Sequence, residues 1–235
     1  MSAARHDQAR LDHLVVLADT LEHGAAWCEA TLGVAPGPGG KHPLFGTHNL
    51  LLPLSSEGFP LSYLEIIAID PEANFQNSTP TIARNRWFDM DDATLREQVR
   101  THGPQLIHWV ARVPDVQAAV DRLAARGIDR GNVLAASRDT PLGLLEWKIA
   151  VRPDGQRLMD GCLPTLIEWG AAHPAASMPA AGLALAALRL AHPQADALRE
   201  ACAAVGLEGI AIENGSPALA ATLRSSRGVH RLSSR

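Results

Sequence analysis

Apolar and polar positions along the chain form one pattern that occurs twice. A strand-like apolar segment that contains a histidine, Leu11 to Ala18 and then Leu106 to Val113, precedes a stretch with apolar residues at helical spacing. Each helical stretch stops at a glycine, Gly33 or Gly127, the residue that most readily adopts the left-handed conformation of helix ends. Further strand-like segments follow, so the pattern predicts the element order β-α-β-β-β in both copies.

The segments after each helix complete the two copies. The first copy continues with strands near residues 49–54 and 63–69 and a short strand near 42–45, whereas the Pro/Gly segment 36–40 is expected to be a turn. The second copy continues with three strands, near residues 133–137, 144–151 and 164–169. The predicted fold class is therefore α+β, with two tandem βαβββ modules.

The chain divides into four predicted segments. They are the first module (10–70), a polar connector (71–104), the second module (105–170) and a C-terminal extension (182–235). Asp91 and Asp92 in the connector are candidates to cap a short helix over residues 93–100. The extension is predicted to be βαββ-like and to pack on the same domain. Alanine stands where the histidine of the other two copies would fall, so the extension is not expected to provide a ligand.

The repeat places chemically similar side chains at matching positions. His13 and His108 lie in the first strand of each copy, and Glu65 and Glu168 lie in the last. A carboxylate within an apolar strand is costly unless it is paired or bound to a metal. Two imidazoles and two carboxylates suit Zn, Mn, Ni, Co or Fe(II), so the pattern indicates one metal site built from two half-sites. Glu146 is an alternative to Glu168, although its strand corresponds to the one before Glu65.

Four short segments stand out as motifs: Leu11-Asp12-His13-Leu14-Val15-Val16, Gly46-Thr47-His48-Asn49, Tyr63-Leu64-Glu65-Ile66-Ile67 and Ile107-His108-Trp109-Val110. Together with the repeat, they resemble the vicinal-oxygen-chelate superfamily, and within it the glyoxalase-like domain subgroup. The resemblance extends over residues 10–170 and more weakly over the tail. It implies a cupped mixed β-sheet whose strands present His13, Glu65, His108 and Glu168 to one divalent metal ion.

The resemblance also implies an activity. A metal-dependent enzyme of the lyase or isomerase type would act on a small oxygen-chelating substrate, with Glu65 or Glu168 as general base. The candidate substrate-binding residues are His48, Arg138, Trp147 and Trp87. Arg138 suits an anionic group because guanidinium can bind a carboxylate or phosphate with two hydrogen bonds. For the two tryptophans, core packing explains their positions equally well.

Two other functions stay open at this point. An extradiol-type dioxygenase would need Fe(II) held by two histidines and one carboxylate, which His13, His108 and Glu168 would supply. The extra carboxylate of Glu65 argues against this function because it would fill a position that oxygen needs. A non-catalytic small-molecule binding or resistance protein is the alternative from a different class.

Composition narrows the range of partners. A formal net charge of −4 and a pI of about 6.2 argue against nucleic acid as a partner. No apolar run approaches the roughly 18 residues of a membrane helix, and no signal peptide is evident. Three widely spaced cysteines, Cys28, Cys162 and Cys202, fit a reduced cytoplasmic protein. The expected partner is a small-molecule substrate, and a homodimer is the candidate assembly.

Overall fold

The computed structural model describes residues 8–75, 85–140 and 143–234, and within them it contains two β-sheets. The helices are α1 (Leu21–Leu32), α2 (Ala93–His102), α3 (Val116–Ala124) and α4 (Ala195–Ala204). The strands of the first sheet are β1 (Arg10–Leu17), β2 (Gly37–His42), β3 (Thr47–Pro53), β4 (Tyr63–Ile69), β5 (Gln105–Arg112), β6 (Asn132–Thr140), β7 (Gly143–Val151) and β8 (Thr165–Trp169). The strands of the second sheet are β9 (Leu183–Ala191), β10 (Ala211–Glu213), β11 (Ala218–Ser225) and β12 (Gly228–Ser233).

The first sheet contains the repeat that the sequence predicts. Its strand order is β2-β3-β4-β1-β5-β8-β7-β6, so each module contributes one half. Within each half the first and last strands run parallel, β1 with β4 and β5 with β8. The antiparallel pair β1–β5 joins the halves. The predicted α+β class with two βαβββ modules is confirmed, and the first strands of both modules meet at the centre of the sheet.

The Pro/Gly segment predicted as a turn is instead the edge strand β2. It pairs with β3 through Gly37 and Leu51 and, after a register shift, through Lys41 and His48. Proline is tolerated there because an edge strand has one side without hydrogen-bonding partners. Close packing accounts for Gly39, since a Cβ at this position would lie only 2.5 Å from the main-chain oxygen of Asn49.

Side-chain hydrogen bonds cap the starts of α1, α2 and α3. Asp92 caps α2 as predicted, accepting a hydrogen bond from the Leu95 N–H at 2.7 Å, and the helix continues to His102. Asp115 caps α3 in the same way. At α1 the cap is Thr20, whose hydroxyl oxygen accepts from the N–H of His23. These caps satisfy backbone donors that lack partners in the first helical turn.

The two faces of the first sheet bury different sets of side chains. Alternate residues of β1 show the division: Leu14 and Val16 pack with the helices and the second sheet, whereas Val15 and Leu17 pack on the concave face. The concave cluster also contains Trp87 and Phe88 from the connector. Because both faces are covered, β1 and β5 are buried along most of their length.

The C-terminal segment has one strand more than the predicted βαββ-like extension. Its strand order is β10-β9-β11-β12. The first strand of the segment, β9, runs parallel to β10 and does not pair with the last strand, β12. Buried leucines of this sheet belong to the same apolar cluster as Leu106 and Cys162. The Leu185 N–H also donates to the Leu54 carbonyl at 2.8 Å. The segment therefore shares the core of the modules.

In the parts of the chain that the structure describes, none of the helices has the length and apolar character needed to cross a membrane.

Candidate functional site

The concave face of the first sheet contains a narrow cavity of about 40 Å³, which we call the cup. The cup is lined by His13, His42, Asn49, Leu51, Tyr63, Glu65, Trp87, Phe88, Arg138, Leu145, Trp147, Ile149, Ile167, Trp169 and Pro174. The first module provides its histidines and its carboxylate. The second module provides mainly apolar and aromatic surface together with Arg138, so the two halves of the cup are chemically different.

A histidine and a glutamate from adjacent parallel strands face each other in the cup. The Nε2 atom of His13 on β1 lies 3.5 Å from Oε2 of Glu65 on β4. The other carboxylate oxygen, Oε1, accepts a hydrogen bond of 2.6 Å from the Asn49 side-chain amide. Both His13 and Glu65 are buried, and the Tyr63 ring stacks on the imidazole. This pair is the polar centre of the cup.

A β-bulge brings Asp12 to the same imidazole. Consecutive strand residues normally point to opposite faces, but the pairing of β1 with β5 shifts register between Leu11 and His13. Asp12 Oδ1 therefore accepts a hydrogen bond of 2.7 Å from His13 Nδ1. Its Oδ2 accepts from Trp169 Nε1 and His173 Nε2, at 3.0 and 2.9 Å. Asp12 thus fixes the His13 ring and ties it to the chain that follows β8.

The electrostatics of these groups favour a charged histidine. Burial opposes the charge, but hydrogen bonds to Asp12 and Glu65 raise the pKa of His13 to about 9. Burial would also raise the pKa of Asp12, yet hydrogen bonds from His13 and His173 hold it well below its usual range. The pKa of Glu65 is likewise lowered, because the effect of His13 outweighs that of burial. At neutral pH an imidazolium lies between two carboxylates.

Two donors of the cup have no hydrogen-bond partner among the residues that the structure describes. Arg138 has no hydrogen bond or ion pair within residues 8–75, 85–140 and 143–234. Its guanidinium reaches from β6 to β2, where a Cβ at Gly40 would lie 2.0 Å from Nη1. The buried Nε1 of Trp87 also lacks a hydrogen-bond partner within the described chain. Buried donors are nearly always satisfied, so the Trp87 N–H indicates a place for a ligand oxygen.

His108, the predicted ligand of the second module, is enclosed by protein atoms. Its Nδ1 donates to the Gly161 carbonyl at 2.9 Å, and its Nε2 accepts from the Thr165 N–H at 3.2 Å. The Phe88 ring packs against the imidazole on the side of the cup, with ring centroids 5.1 Å apart. Burial and the nearby charge of Arg130 lower the pKa of His108 well below its usual value. The ring is a neutral, fully hydrogen-bonded core residue.

Strand register identifies the counterpart of Glu65 in the second module as Thr165. Glu65 pairs with Val15, the second residue after His13, and Thr165 pairs with Val110, the second residue after His108. The Thr165 hydroxyl lies 3.1 Å from Nε2 of His108, in the place where a carboxylate would be expected.

A buried arginine completes this second half-site. Arg130 is 2% exposed and donates to the Thr165 hydroxyl at 2.7 Å. Burial lowers the pKa of Arg130 to about 10, so it remains protonated at neutral pH. A positive charge therefore stands where the predicted half-site would need an anionic ligand.

Glu168 lies on the opposite face of the sheet from the cup. Its neighbours Ile167 and Trp169 line the cup, so alternation turns Glu168 away. Its carboxylate accepts a hydrogen bond of 3.0 Å from the Val116 N–H at the start of α3. It also binds Lys148 Nζ at 2.7 Å. The alternative acid, Glu146, lies between the cup residues Leu145 and Trp147 and also faces away.

Of the four predicted substrate-binding residues, three line the cup and one faces the opposite side of the sheet. Trp87, Trp147 and Arg138 line the cup, whereas His48 lies between Thr47 and Asn49 on β3 and faces the other side. Asn49, rather than His48, is the residue of that motif that reaches Glu65.

From the sequence, no site role was expected for the cup residues His42, Asn49 and Tyr63, nor for Asp12 and His173, which hydrogen-bond to each other behind the cup. The alternation of β3 and β4 is the signal that indicates Asn49 and Tyr63, because both lie on the same face as Glu65.

The residues present do not fit the four-ligand metal centre. His13 and Glu65 are at the cup, His108 is enclosed, and Glu168 is on the other face. Among the described residues, no group of three or more His, Cys, Asp or Glu side chains is arranged to hold a metal ion. The iron triad of an extradiol dioxygenase, His13, His108 and Glu168, is not assembled either.

Two βαβββ modules around a shared cup define the class of protein as the vicinal-oxygen-chelate superfamily. The sequence model of one family within it, described as "Glyoxalase-like domain", matches residues 11–206. The chain therefore belongs to the glyoxalase-like domain family, and the resemblance inferred from the four motifs is confirmed.

Solved structures that are similar to this chain share little of its sequence. A hypothetical protein from Staphylococcus aureus superimposes with a TM-score of 0.55 and 12% identity, covering 95% of this chain and 85% of that one. Methylmalonyl-CoA epimerase from Mycobacterium tuberculosis gives a TM-score of 0.38 and 16% identity, covering 72% and 91%. A variant of the Streptomyces coelicolor epimerase, in complex with 2-nitronate-propionyl-CoA, gives 0.40 and 17%, covering 69% and 94%. A comparison with curated proteins gave no match.

Proposed function

We propose that the protein is an enzyme of the glyoxalase type that moves a proton on a small, anionic, oxygen-bearing substrate held in the cup. The reaction class is isomerase or lyase chemistry. The observation that carries this proposal is the buried pair of His13 and Glu65, 3.5 Å apart, beside an arginine without a partner in the described chain. Perturbed acid–base groups in a concave site are typical of functional sites.

Substrate binding is assigned to the two free donors. Arg138 binds a carboxylate or phosphate of the substrate, since guanidinium pairs with such groups through two hydrogen bonds. The Trp87 N–H donates to a second substrate oxygen. Trp147 and Trp169 line the same cup as His13 and Glu65, and their rings limit access of water to the reacting atoms.

Proton transfer is assigned to the His13–Glu65 pair. The Glu65 carboxylate removes a proton from the carbon next to a substrate carbonyl, and the electron pair moves to the carbonyl oxygen. The His13 imidazolium donates a hydrogen bond to that oxygen and stabilises the charge that develops on it. The His13 imidazolium then passes its Nε2 proton to that oxygen and takes up the proton of the hydroxyl group on the carbon that lost its hydrogen. As that carbon becomes the new carbonyl, Glu65 returns its proton to the former carbonyl carbon, which completes the isomerisation of a hydroxycarbonyl compound without any other reactant.

No step of this proposal passes through the predicted divalent metal ion, whether Zn, Mn, Ni, Co or Fe(II). Only two of the four predicted donors lie at the cup, and a guanidinium is part of the second half-site. The imidazolium of His13 supplies the positive charge that a metal ion would otherwise provide near a developing oxyanion.

The size of the cup limits the substrate. Its free volume of about 40 Å³ is far below the roughly 300–1,000 Å³ of typical small-molecule sites. A substrate of several atoms therefore needs a side chain to move. Arg138 is half-buried and has no partner in the described chain, so it can swing out and close again over an anionic group.

Hydrogen exchange with solvent tests the proposal with simple model compounds. Hydroxypyruvate, dihydroxyacetone phosphate and uncharged dihydroxyacetone are incubated with the protein in D₂O, and loss of the carbon-bound hydrogen signals is followed by NMR. We expect faster exchange of at least one anionic compound than of dihydroxyacetone. Glu65→Gln should lower this rate by about 10²–10⁴-fold, the usual contribution of a general base.

Glu168→Gln is the matched comparison, because it removes the same charge from the opposite face of the sheet. Its exchange rate should stay within about threefold of the wild type, since it touches no cup residue. Equal losses in both variants would contradict the assignment of Glu65. Saturable binding of an anionic compound without any exchange would favour the non-catalytic binding protein instead.

A further inference from the structure

A larger cavity, of about 290 Å³, lies between the modules and the C-terminal segment. We call it the second cavity; its polar lining includes Asp89, Asp92, Thr94, Gln98, Gln105 and Arg157. The C-terminal segment closes one side with Pro217 and Ser234. Its volume lies at the lower end of small-molecule sites, which have about 300–1,000 Å³. Such sites form preferentially where structural units meet, as this one does.

One buried side chain in the second cavity lacks a hydrogen-bond partner. Gln105, the first residue of β5, is 7% exposed, and its Nε2 has no partner within the described chain. An amide donor loses its hydrogen bonds to bulk water on burial, and leaving it unsatisfied is costly. The orphaned N–H group therefore points to a ligand with an acceptor oxygen in the cavity.

The other side chains offer acceptors as well as donors. Asp92 uses Oδ1 to cap α2, which leaves Oδ2 for a ligand. Asp89 Oδ2 accepts a hydrogen bond of 2.9 Å from Arg157 Nε, and Arg157 Nη1 donates one of 2.7 Å to the Ile107 carbonyl. Within the described residues, Asp89 Oδ1 and Arg157 Nη2 make no hydrogen bond and so can bind a ligand. Thr94 and Gln98 add groups that both donate and accept.

The balance of charge excludes one class of ligand. Three carboxylates, Asp89, Asp92 and Asp160, line the second cavity with one guanidinium, Arg157. An anion would be repelled by this excess of negative charge. Hydroxyl groups match the lining best, because each can donate to a carboxylate and accept from an amide or guanidinium.

We propose that the second cavity is a binding site for a small neutral polyhydroxylated compound of about the size of a monosaccharide. Gln105 donates to one hydroxyl oxygen, Arg157 donates to another, and Asp89 and Asp92 accept from neighbouring hydroxyls. This site is separate from the cup and does not depend on the reaction proposed there. The two sites meet at the connector, where Trp87 and Phe88 line the cup and Asp89 lines the second cavity.

Titration of the full chain by ¹H–¹⁵N NMR tests this proposal. The probes are glucose, galactose, mannose, ribose and myo-inositol, with putrescine and acetate as cationic and anionic comparisons. We expect saturable shifts of the Gln105 side-chain amide and of backbone amides in α2 for at least one polyhydroxylated probe. Gln105→Leu, which keeps the size but removes the donor, should weaken that binding at least about tenfold.

Gln194→Leu is the matched control, because it makes the same change at an exposed position that does not line the cavity. Gln98→Leu on α2 gives a second test that does not disturb a buried residue, and it should also weaken binding. The proposal is overturned if no polyhydroxylated probe saturates, if only putrescine or acetate binds, or if Gln105→Leu and Gln98→Leu bind as tightly as Gln194→Leu.

Discussion

At the residue scale, His13 is a buried histidine held between two carboxylates. Asp12 contacts Nδ1 and Glu65 faces Nε2, so both sides of the ring favour the protonated form. Asp12 in turn receives hydrogen bonds from Trp169 and His173. Removing either carboxylate would leave a buried positive charge less compensated, which is costly in a low-dielectric interior.

Because the pKa of His13 is raised, we expect the stability of the folded protein to decrease as the pH becomes alkaline. The histidine binds its proton more tightly in the folded protein, so its contribution is complete below its unfolded pKa of 6.5 and is lost as pH rises through about 9. We expect the free energy of unfolding to fall between pH 7 and 9.5, by up to about 3 kcal/mol from this group. Urea denaturation at several pH values measures this change.

His13→Gln provides the comparison for this pH dependence. The variant should be less stable than the wild type at pH 7, and the difference between the two proteins should shrink as pH rises. Parallel curves over pH 7 to 9.5 would show that His13 is not the titrating group.

The repeat in the sequence singled out His13 and Glu65, which meet in the cup. It did not indicate that the two modules would provide chemically different side chains. It aligned Glu168 with Glu65, whereas strand register aligns Thr165 with it. Alternation within β8 could have excluded Glu168, since large apolar residues flank it on both sides. The bulge that turns Asp12 toward His13 could not have been foreseen, because it depends on pairing between strands that are distant in sequence.

At the scale of elements, Glu168 stabilises the start of α3. Its carboxylate accepts from the Val116 N–H and binds Lys148, and a negative charge at a helix N-terminus is favourable. We expect Glu168→Gln to lower the free energy of unfolding by about 1 kcal/mol, the usual value of a lost helix cap. Urea denaturation at neutral pH measures this change, and an unchanged midpoint would contradict the helix-start role.

Most element positions followed from the sequence, but the strand expected near residues 42–45 gives way to a turn over 43–46, and neither β2 nor the last strand β12 was expected. Periodicity and capping residues located the helices to within a few residues, because both signals are local. The edge strand β2 was missed because its composition, Gly37 to His42, is that of a turn. The segment is a strand because it pairs with β3, and its own residues carry no signal for that pairing.

At the scale of the whole molecule, the C-terminal segment belongs to the core rather than to an appended domain. Leucines of β9, α4 and β11 pack with the outer face of the first sheet. The sequence predicted a segment packed on the modules, but its second sheet and the cavity beneath it depend on long-range packing.

Truncation tests this dependence. A chain that ends at residue 181 would expose a large apolar surface, so we expect it to lose cooperative thermal unfolding or to aggregate. Circular dichroism and a thermal melt measure the outcome, with Val229→Ala, at an exposed residue of the same segment, as control. A truncated protein that melts cooperatively near the wild-type temperature would contradict the shared core.

We infer that the cup contains an acid–base pair from one module rather than a metal centre from two. The decisive measurement is metal content by mass spectrometry, on protein purified without chelators and after incubation with Zn, Mn, Ni, Co or Fe(II). We expect no ion held at one equivalent after desalting, in the wild type and in His13→Ala or His108→Ala alike. One tightly held equivalent that both substitutions abolish would contradict this inference and restore the two-module metal site.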